Sequence, residues 1–262
     1  MGTTTEIDEA RDWHGNPLDC SGCERLAESA NGRCRLGHAC VHDRYARRID
    51  RFFRWNPHLA KEYLEHPYFE TRAVAAKYVE VFQLPRLIAD PDETVRQSVA
   101  QRLPLRSRHL KALGRDPHRE VRIRVAERLE LSDLASMIDD PDYYVRQIVA
   151  RRLPPSMLVR MLHDPDREVR KVVARRAGAE WLHTMAKDPE LDVRLEAIRR
   201  MDAGQLKHYR DDPDWRVRYE VASRLDLAEL APMRGDSDAT VRDLVEQRLA
   251  GRHDADVLPE AC

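Results

Sequence analysis

Four of the five cysteines lie between positions 20 and 40 with the spacing C-x2-C-x10-C-x5-C: Cys20-Ser21-Gly22-Cys23, then Cys34-Arg35-Leu36-Gly37-His38-Ala39-Cys40. Thiolates are soft donors, so four of them in one short segment can hold a metal or a cluster wherever the surroundings keep them reduced. The first residues contain no apolar signal core, and no stretch approaches the roughly 18 apolar residues that a membrane helix needs. A cytoplasmic protein without a membrane partner is expected, and there a disulfide framework is not. The spacing leaves two readings open. Structural zinc is more often bound by two close C-x2-4-C pairs, and the second pair here is stretched to x5. An iron-sulfur cluster is larger than one ion and accepts the wider loop.

The neighbouring residues suit either reading. Gly22, Gly32 and Gly37 let the backbone turn tightly and offer amides to sulfur, and Arg33 and Arg35 either offset thiolate charge or are solvated. His38 and His42 could stand in for a cysteine at zinc but are expected to be bystanders, and Cys262 at the end of the chain is expected to be a free thiol. Residues 41–65 read as helical, with Tyr45, Ile49, Phe52 and Phe53 as an apolar face that caps the rest of the chain. The same segment holds Arg44, Arg47, Arg48, Arg51 and Arg54 against only Asp43 and Asp50, which makes either a solvated face or a dock for an acidic redox partner.

From residue 66 onward the chain repeats a unit, D-P-D-x-x-V-R-x-x-V-A-x-R-L. Its Asp-Pro pairs begin at Asp90, Asp116, Asp140, Asp164, Asp188 and Asp212, with degenerate ends at His66-Pro67 and Asp236-Ser237. The steps are 24 residues, apart from one of 26 between Asp90 and Asp116, and they make eight units. Asp before Pro is a helix start signal, with Pro at a position whose amide has no partner. Val95, Val99 and Leu103 recur at i, i+4 and i+8, as do Val145, Val149 and Leu153, so one stripe per helix is buried. About eleven residues join each helix to the next Asp-Pro pair, enough for a short second helix or a tight helical turn. No segment alternates with period two. A 24-residue unit cannot bury its own face, so neighbours must stack. Thr71 and Ala75 weaken the first stripe and Gly251 ends the last helix, as capping units require.

The composition agrees with an extended all-α array. Charged residues reach 35% and aromatics only 6%, while the 42% that are apolar recur too regularly for a disordered chain. With 45 basic and 46 acidic residues the net charge is -1, so bulk charge selects neither nucleic acid nor membrane.

Two arginine columns run through the units: Arg72, Arg96, Arg122, Arg146 and onward to Arg242, and Arg102, Arg128, Arg152, Arg176 and onward to Arg248. At about 100° per residue, Arg96 falls about 20° from Leu103 on the helix circumference. A charge beside the buried stripe must be paired, and the helix-start carboxylates of the same or an adjacent unit are the matching column. The second column sits at the stripe's edge, where a guanidinium either reaches solvent or is held.

The repeat resembles the leucine-rich repeat variant family. The resemblance implies an all-α, right-handed helical solenoid in which α-helices alternate with short 3-10 helices and no strands form. It extends to the N-terminus, because members can carry a four-cysteine segment holding a [4Fe-4S] cluster. It thus implies one such cluster with Cys20, Cys23, Cys34 and Cys40 as ligands, and a link to bacteria that fix nitrogen. The implied organisation is a cluster segment with capping helix at 1–65, the repeats at 66–250 and a tail at 251–262. The chain holds no phosphate-binding glycine loop, no H-E-x-x-H and no C-x3-C-x2-C. It is therefore read as a non-enzymatic redox or redox-sensing protein that binds a protein partner. The alternatives are a helical-repeat binder of nucleic acid with a structural metal, and a metal that only staples the cap.

Overall fold

The repeat helices start at the third position of the D-P-D signature, two residues later than the Asp-Pro pair implies. In the computed structural model, which describes residues 9–251, Asp92, Asp142, Asp166, Asp214 and Asp238 are N-caps that each accept from the amide two residues on, while Tyr68, His118 and Glu190 hold the same position without a side-chain bond. The first aspartate is freed for another task. Its Oδ1 accepts the amide two residues ahead, as in Asp92 N to Asp90 at 2.9 Å and Asp166 N to Asp164 at 2.9 Å, which fixes the turn into the helix.

The described residues divide into two compact units, one up to residue 137 and one from residue 138 onward. The first holds α1 (Leu26–Ala30), α2 (Ala46–Trp55), α3 (Phe69–Ala75), α4 (Glu93–Arg102), α5 (Arg108–Leu113), α6 (Arg119–Arg128) and α7 (Leu131–Leu134). The second holds α8 (Tyr143–Arg152), α9 (Arg167–Arg176), α10 (Leu182–Met185), α11 (Leu191–Arg200), α12 (Ala203–Leu206), α13 (Trp215–Arg224), α14 (Leu227–Leu230) and α15 (Ala239–Leu249). Among the described residues no strand forms, and extended pairing is limited to isolated bridges at Arg11–Pro17 and Arg35–Ala39.

Within the first unit α2 packs on α3, α3 on α4 and α4 on α6; within the second, α8, α9, α11, α13 and α15 pack in succession. Val95, Val99, Val145, Val149 and Leu153 are fully buried in these stacks. The connectors are 3-10 helices at Val81–Leu87 and Pro155–Met161, while several others begin with one α turn before tightening. The 26-residue step lengthens its connector into α5, N-capped by Ser107.

The first arginine column pairs forward. Arg146 gives Nε and Nη2 to both oxygens of Asp164 at 2.7 and 2.9 Å, and Nη1 to the carbonyls of Asp140 and Pro141 at 2.8 and 3.3 Å. Arg72 does the same with Asp90, Arg96 with Asp116, Arg170 with Asp188, Arg194 with Asp212 and Arg218 with Asp236. One guanidinium thus ties its own Asp-Pro turn to the aspartate of the next unit, with the fork geometry that lysine lacks. The second column reaches backward. Arg102 Nη1 donates to the carbonyls of Ala76 and Val79 at 2.8 and 2.6 Å, and Arg248 to Ala222 and Leu225, both at 2.7 Å. These carbonyls follow or end the preceding helix, where the macrodipole favours a cation.

The ends differ from the middle. Thr71 does not weaken the first stripe: it is fully buried, and its hydroxyl donates to the carbonyl of Val41 at 3.3 Å, tying the first repeat to the cysteine segment. Gly251 follows α15 with φ of 72°, the left-handed stop that its position implies.

Candidate metal centre

The cysteines sit in two loops anchored by α1 and α2. Cys20 and Cys23 form a tight knuckle in which the Cys23 amide donates to the Cys20 carbonyl at 3.3 Å, and α1 begins directly after it. Gly32, with φ of 70°, turns the chain out of α1 so that the Cys34 amide reaches the Glu28 carbonyl at 3.1 Å. Gly37, with φ of 67°, closes the next loop, where Arg35 and Ala39 exchange two backbone bonds of 2.8 Å. The body of α2 holds the far side: the Cys40 amide donates to the Arg48 carbonyl at 3.3 Å. Beyond its C-terminus Asn56, fully buried, donates from Nδ2 to the Arg33 carbonyl at 2.7 Å. Ile49, Phe52 and Phe53 fill the face of α2 beneath this loop, and all three are fully buried. Tyr45 instead precedes α2 and is only half-buried.

All four thiols are free, and every pair among them interacts. Burial first, then the neighbouring thiols, pushes Cys20 up; burial also dominates at Cys23. A hydrogen bond between Cys34 and Cys40 holds Cys34 down and drives Cys40 up, the pattern of two thiols sharing a proton. Backbone amides already point at sulfur: Arg25 N lies 3.4 Å from Cys23 Sγ, and the His42 amide bonds to Cys40. Four soft donors converging with amide donors among them fit a cluster. A lone zinc, with Zn–S of about 2.3 Å, draws its sulfurs to within about 4 Å of one another. No three of these thiols lie within 4.8 Å; the trio that does is Cys23, Glu24 and His42.

That trio belongs to a network joining the cysteine segment to the first repeats. His42 Nε2 lies 3.1 Å from Glu24 Oε1. The Tyr63 hydroxyl donates to the same oxygen at 3.2 Å and accepts from Arg25 Nε at 2.6 Å, while Arg25 Nη2 reaches Glu62 at 2.6 Å. Alongside, Trp13 stacks on Tyr68 at 5.7 Å and meets the edge of His66 at 4.7 Å. Burial, then the nearby His42, pushes His66 down to about 4, and its Nδ1 accepts the Tyr68 amide at 3.1 Å. Arg33 and Arg35 are exposed, and Arg51 takes up His38 through both Nδ1 and the carbonyl, at 2.8 and 2.9 Å. Cys262 lies outside the described residues.

Residues 10–62 match the family described as LRV protein FeS4 cluster, and residues 143–166 match the leucine rich repeat variant. A solved structure of "a leucine-rich repeat variant with a novel repetitive protein structural motif" is similar to this chain with a TM-score of 0.83 and 45% identity. The similarity covers 88% of this chain and 99% of that one. The chain belongs to the leucine-rich repeat variant family. An uncharacterized 27.7 kDa protein in the nifB 3' region of Rhodobacter capsulatus is 52% identical over 96 residues, 37% of this chain. The match spans 39% of that relative's length. The FeS4 match takes in the whole cysteine segment and decides between zinc and cluster. This leucine-rich repeat variant chain carries one iron-sulfur cluster at its N-terminus.

Proposed function

We propose that this leucine-rich repeat variant protein is a non-enzymatic redox or redox-sensing protein that binds a protein partner, with Cys20, Cys23, Cys34 and Cys40 holding a [4Fe-4S] cluster. Such a cluster, when bound, supplies one-electron transfer. The observation that carries the reading is the mutual reach of the four thiols with backbone amides directed at two of them. Amides donating to sulfur stabilise added negative charge, which is what a reducible site needs. The burial is graded. Cys34 and Cys40 are buried, keeping water from one side, while Cys20 and Cys23 remain half-exposed. The position of the Rhodobacter capsulatus relative in a nifB 3' region supports a link to nitrogen fixation. Both arginine columns are engaged with neighbouring units, which weighs against tracking of phosphates by the repeats.

The test is anaerobic purification followed by iron and sulfide analysis and a reductive titration. About four irons and four sulfides per chain, a brown colour and reversible bleaching by reductant with unchanged helical circular dichroism are expected. Stoichiometric zinc without sulfide overturns the cluster. Loss of helicity on reduction leaves only a staple for the cap.

A further inference from the structure

Positive charge is concentrated beside the cysteines. Residues 33–55 carry seven arginines against two aspartates, within a chain whose net charge is -1. Both aspartates are committed: Asp43, fully buried, accepts from Arg48 at 2.9 Å, and Asp50 pairs with Arg54 at 3.0 Å. Among the described residues, Arg33, Arg35, Arg47 and Arg51 have no carboxylate partner. In the repeats the first-column arginines are forked onto aspartates, so the surplus at this one place stands out.

The surplus converges. Arg51, Arg35 and Arg48 all act electrostatically on His38, and Arg47, Arg48 and Arg51 line a pocket of about 360 Å³ with His38 and Tyr45. The pocket wall is mostly carbon, made of arginine stems and the Tyr45 ring. The Arg44 and Arg48 guanidinium carbons lie 5.0 and 5.1 Å from that ring's centroid. Because Arg51 donates to His38 Nδ1, the imidazole carries its proton on Nε2 and offers a further donor. The pocket is also close to the thiols: His38 is two residues before Cys40, and Cys40 hangs on the carbonyl of Arg48.

We infer that this pocket docks an acidic segment of a protein partner, with carboxylates on Arg35, Arg47 and Arg51 and one apolar side chain against Tyr45. The inference rests on the redox reading above, since its consequence is to seat the partner against the Cys34–Cys40 loop. A protein is favoured over a nucleic acid because Arg47 and Arg51, which have no carboxylate partner among the described residues, line one carbon-walled pocket, with Arg35 near enough to act on His38. The arginine columns that would extend them into a strip are bound internally.

The probe is a fluorescein-labelled peptide of aspartates and glutamates around one phenylalanine, titrated by fluorescence anisotropy into the full, cluster-loaded chain. Binding that weakens with salt is expected, as is a loss of about tenfold in affinity in the Arg35→Glu, Arg47→Glu double variant. Visible absorption reports that this variant is folded and loaded. Arg151→Glu, an exposed change on α8, leaves affinity as it was, and replacing the peptide's phenylalanine by alanine weakens it. Peptide binding indifferent to the double reversal overturns the inference, as does a single-stranded oligonucleotide of equal charge that binds the same site more tightly. Reduction of the wild-type cluster by a small uncharged mediator is scored separately. If that succeeds while the peptide fails to bind, only the docking site falls; if it fails, the redox reading falls with it.

Discussion

The cysteine segment and the repeats use the same amino acids to opposite ends. In the repeats an arginine is a fastener, with Nε and Nη2 on the next unit's aspartate and Nη1 on its own turn. Near the cysteines, Arg33, Arg35, Arg47 and Arg51 have no carboxylate partner among the described residues, and the thiols interact with one another and with two backbone amides. A fold that forks its repeat arginines onto aspartates, and leaves cations and soft donors together beside the cysteines, marks where an outside charge is meant to sit.

The sharpest way to break this comparison is at the thiols. Replacing any one of Cys20, Cys23, Cys34 or Cys40 by Ala should abolish the stable cluster, read as loss of visible absorption and of sulfide. The second unit should keep its helical signal, since its helices pack on one another without the cysteines. Loss of helicity throughout the chain would show that the repeats depend on the metal. Next in size is Arg146→Ala, which strands the buried Asp164 and should cost about 3 kcal/mol in denaturant melts. Arg47→Ala, at an exposed arginine beside the thiols, should cost less than about 0.5 kcal/mol. Equal costs would erase the distinction between fastener and spare. Arg224→Ala sharpens the backward column: it removes charged bonds to the carbonyls of Ile198 and Met201 and should cost about 2 kcal/mol.

Much of this was legible in the sequence. The 24-residue step, the Val/Val/Leu stripes and the need to pair Arg96 follow from periodicity and helix geometry, and the cysteine spacing marked the metal segment. The helix start was misplaced by two residues because D-P-D offers two aspartates, and only geometry shows the first turned to the preceding unit's arginine. The targets of the second column are backbone carbonyls, which no residue letter encodes. Thr71 looked like a flaw in a stripe because its partner, the Val41 carbonyl, lies thirty residues away. The Arg25, Tyr63 and Glu24 network gave no local signal either, since its members are up to 39 residues apart. Asn56 lies within a segment that read as helical throughout, with nothing to say that it ends α2 and holds the Arg33 carbonyl.

The smallest effect tests the join between the two regions. His66 is packed against Trp13 with Nδ1 accepting an amide, an arrangement that requires the neutral ring, and burial holds its pKa down to about 4. In the unfolded chain the same group titrates near 6.5. Below about pH 6.5 the unfolded state therefore binds the extra proton first, so the contribution of His66 is complete above that value. It drains away as pH falls toward about 4, because protonation then favours unfolding. At pH 5.5 the loss should be about 1 kcal/mol, discounted for a ring that is only partly shielded. Asn at this position keeps an acceptor for the Tyr68 amide but has no proton to gain. Melting of the first unit in His66→Asn should thus depend less steeply on pH between 7 and 5.5 than in the wild type, with visible absorption confirming that both retain the cluster. Identical slopes would mean that the ring is free to protonate where it sits and that the Trp13, His66 and Tyr68 packing does not hold the cysteine segment to the first repeat.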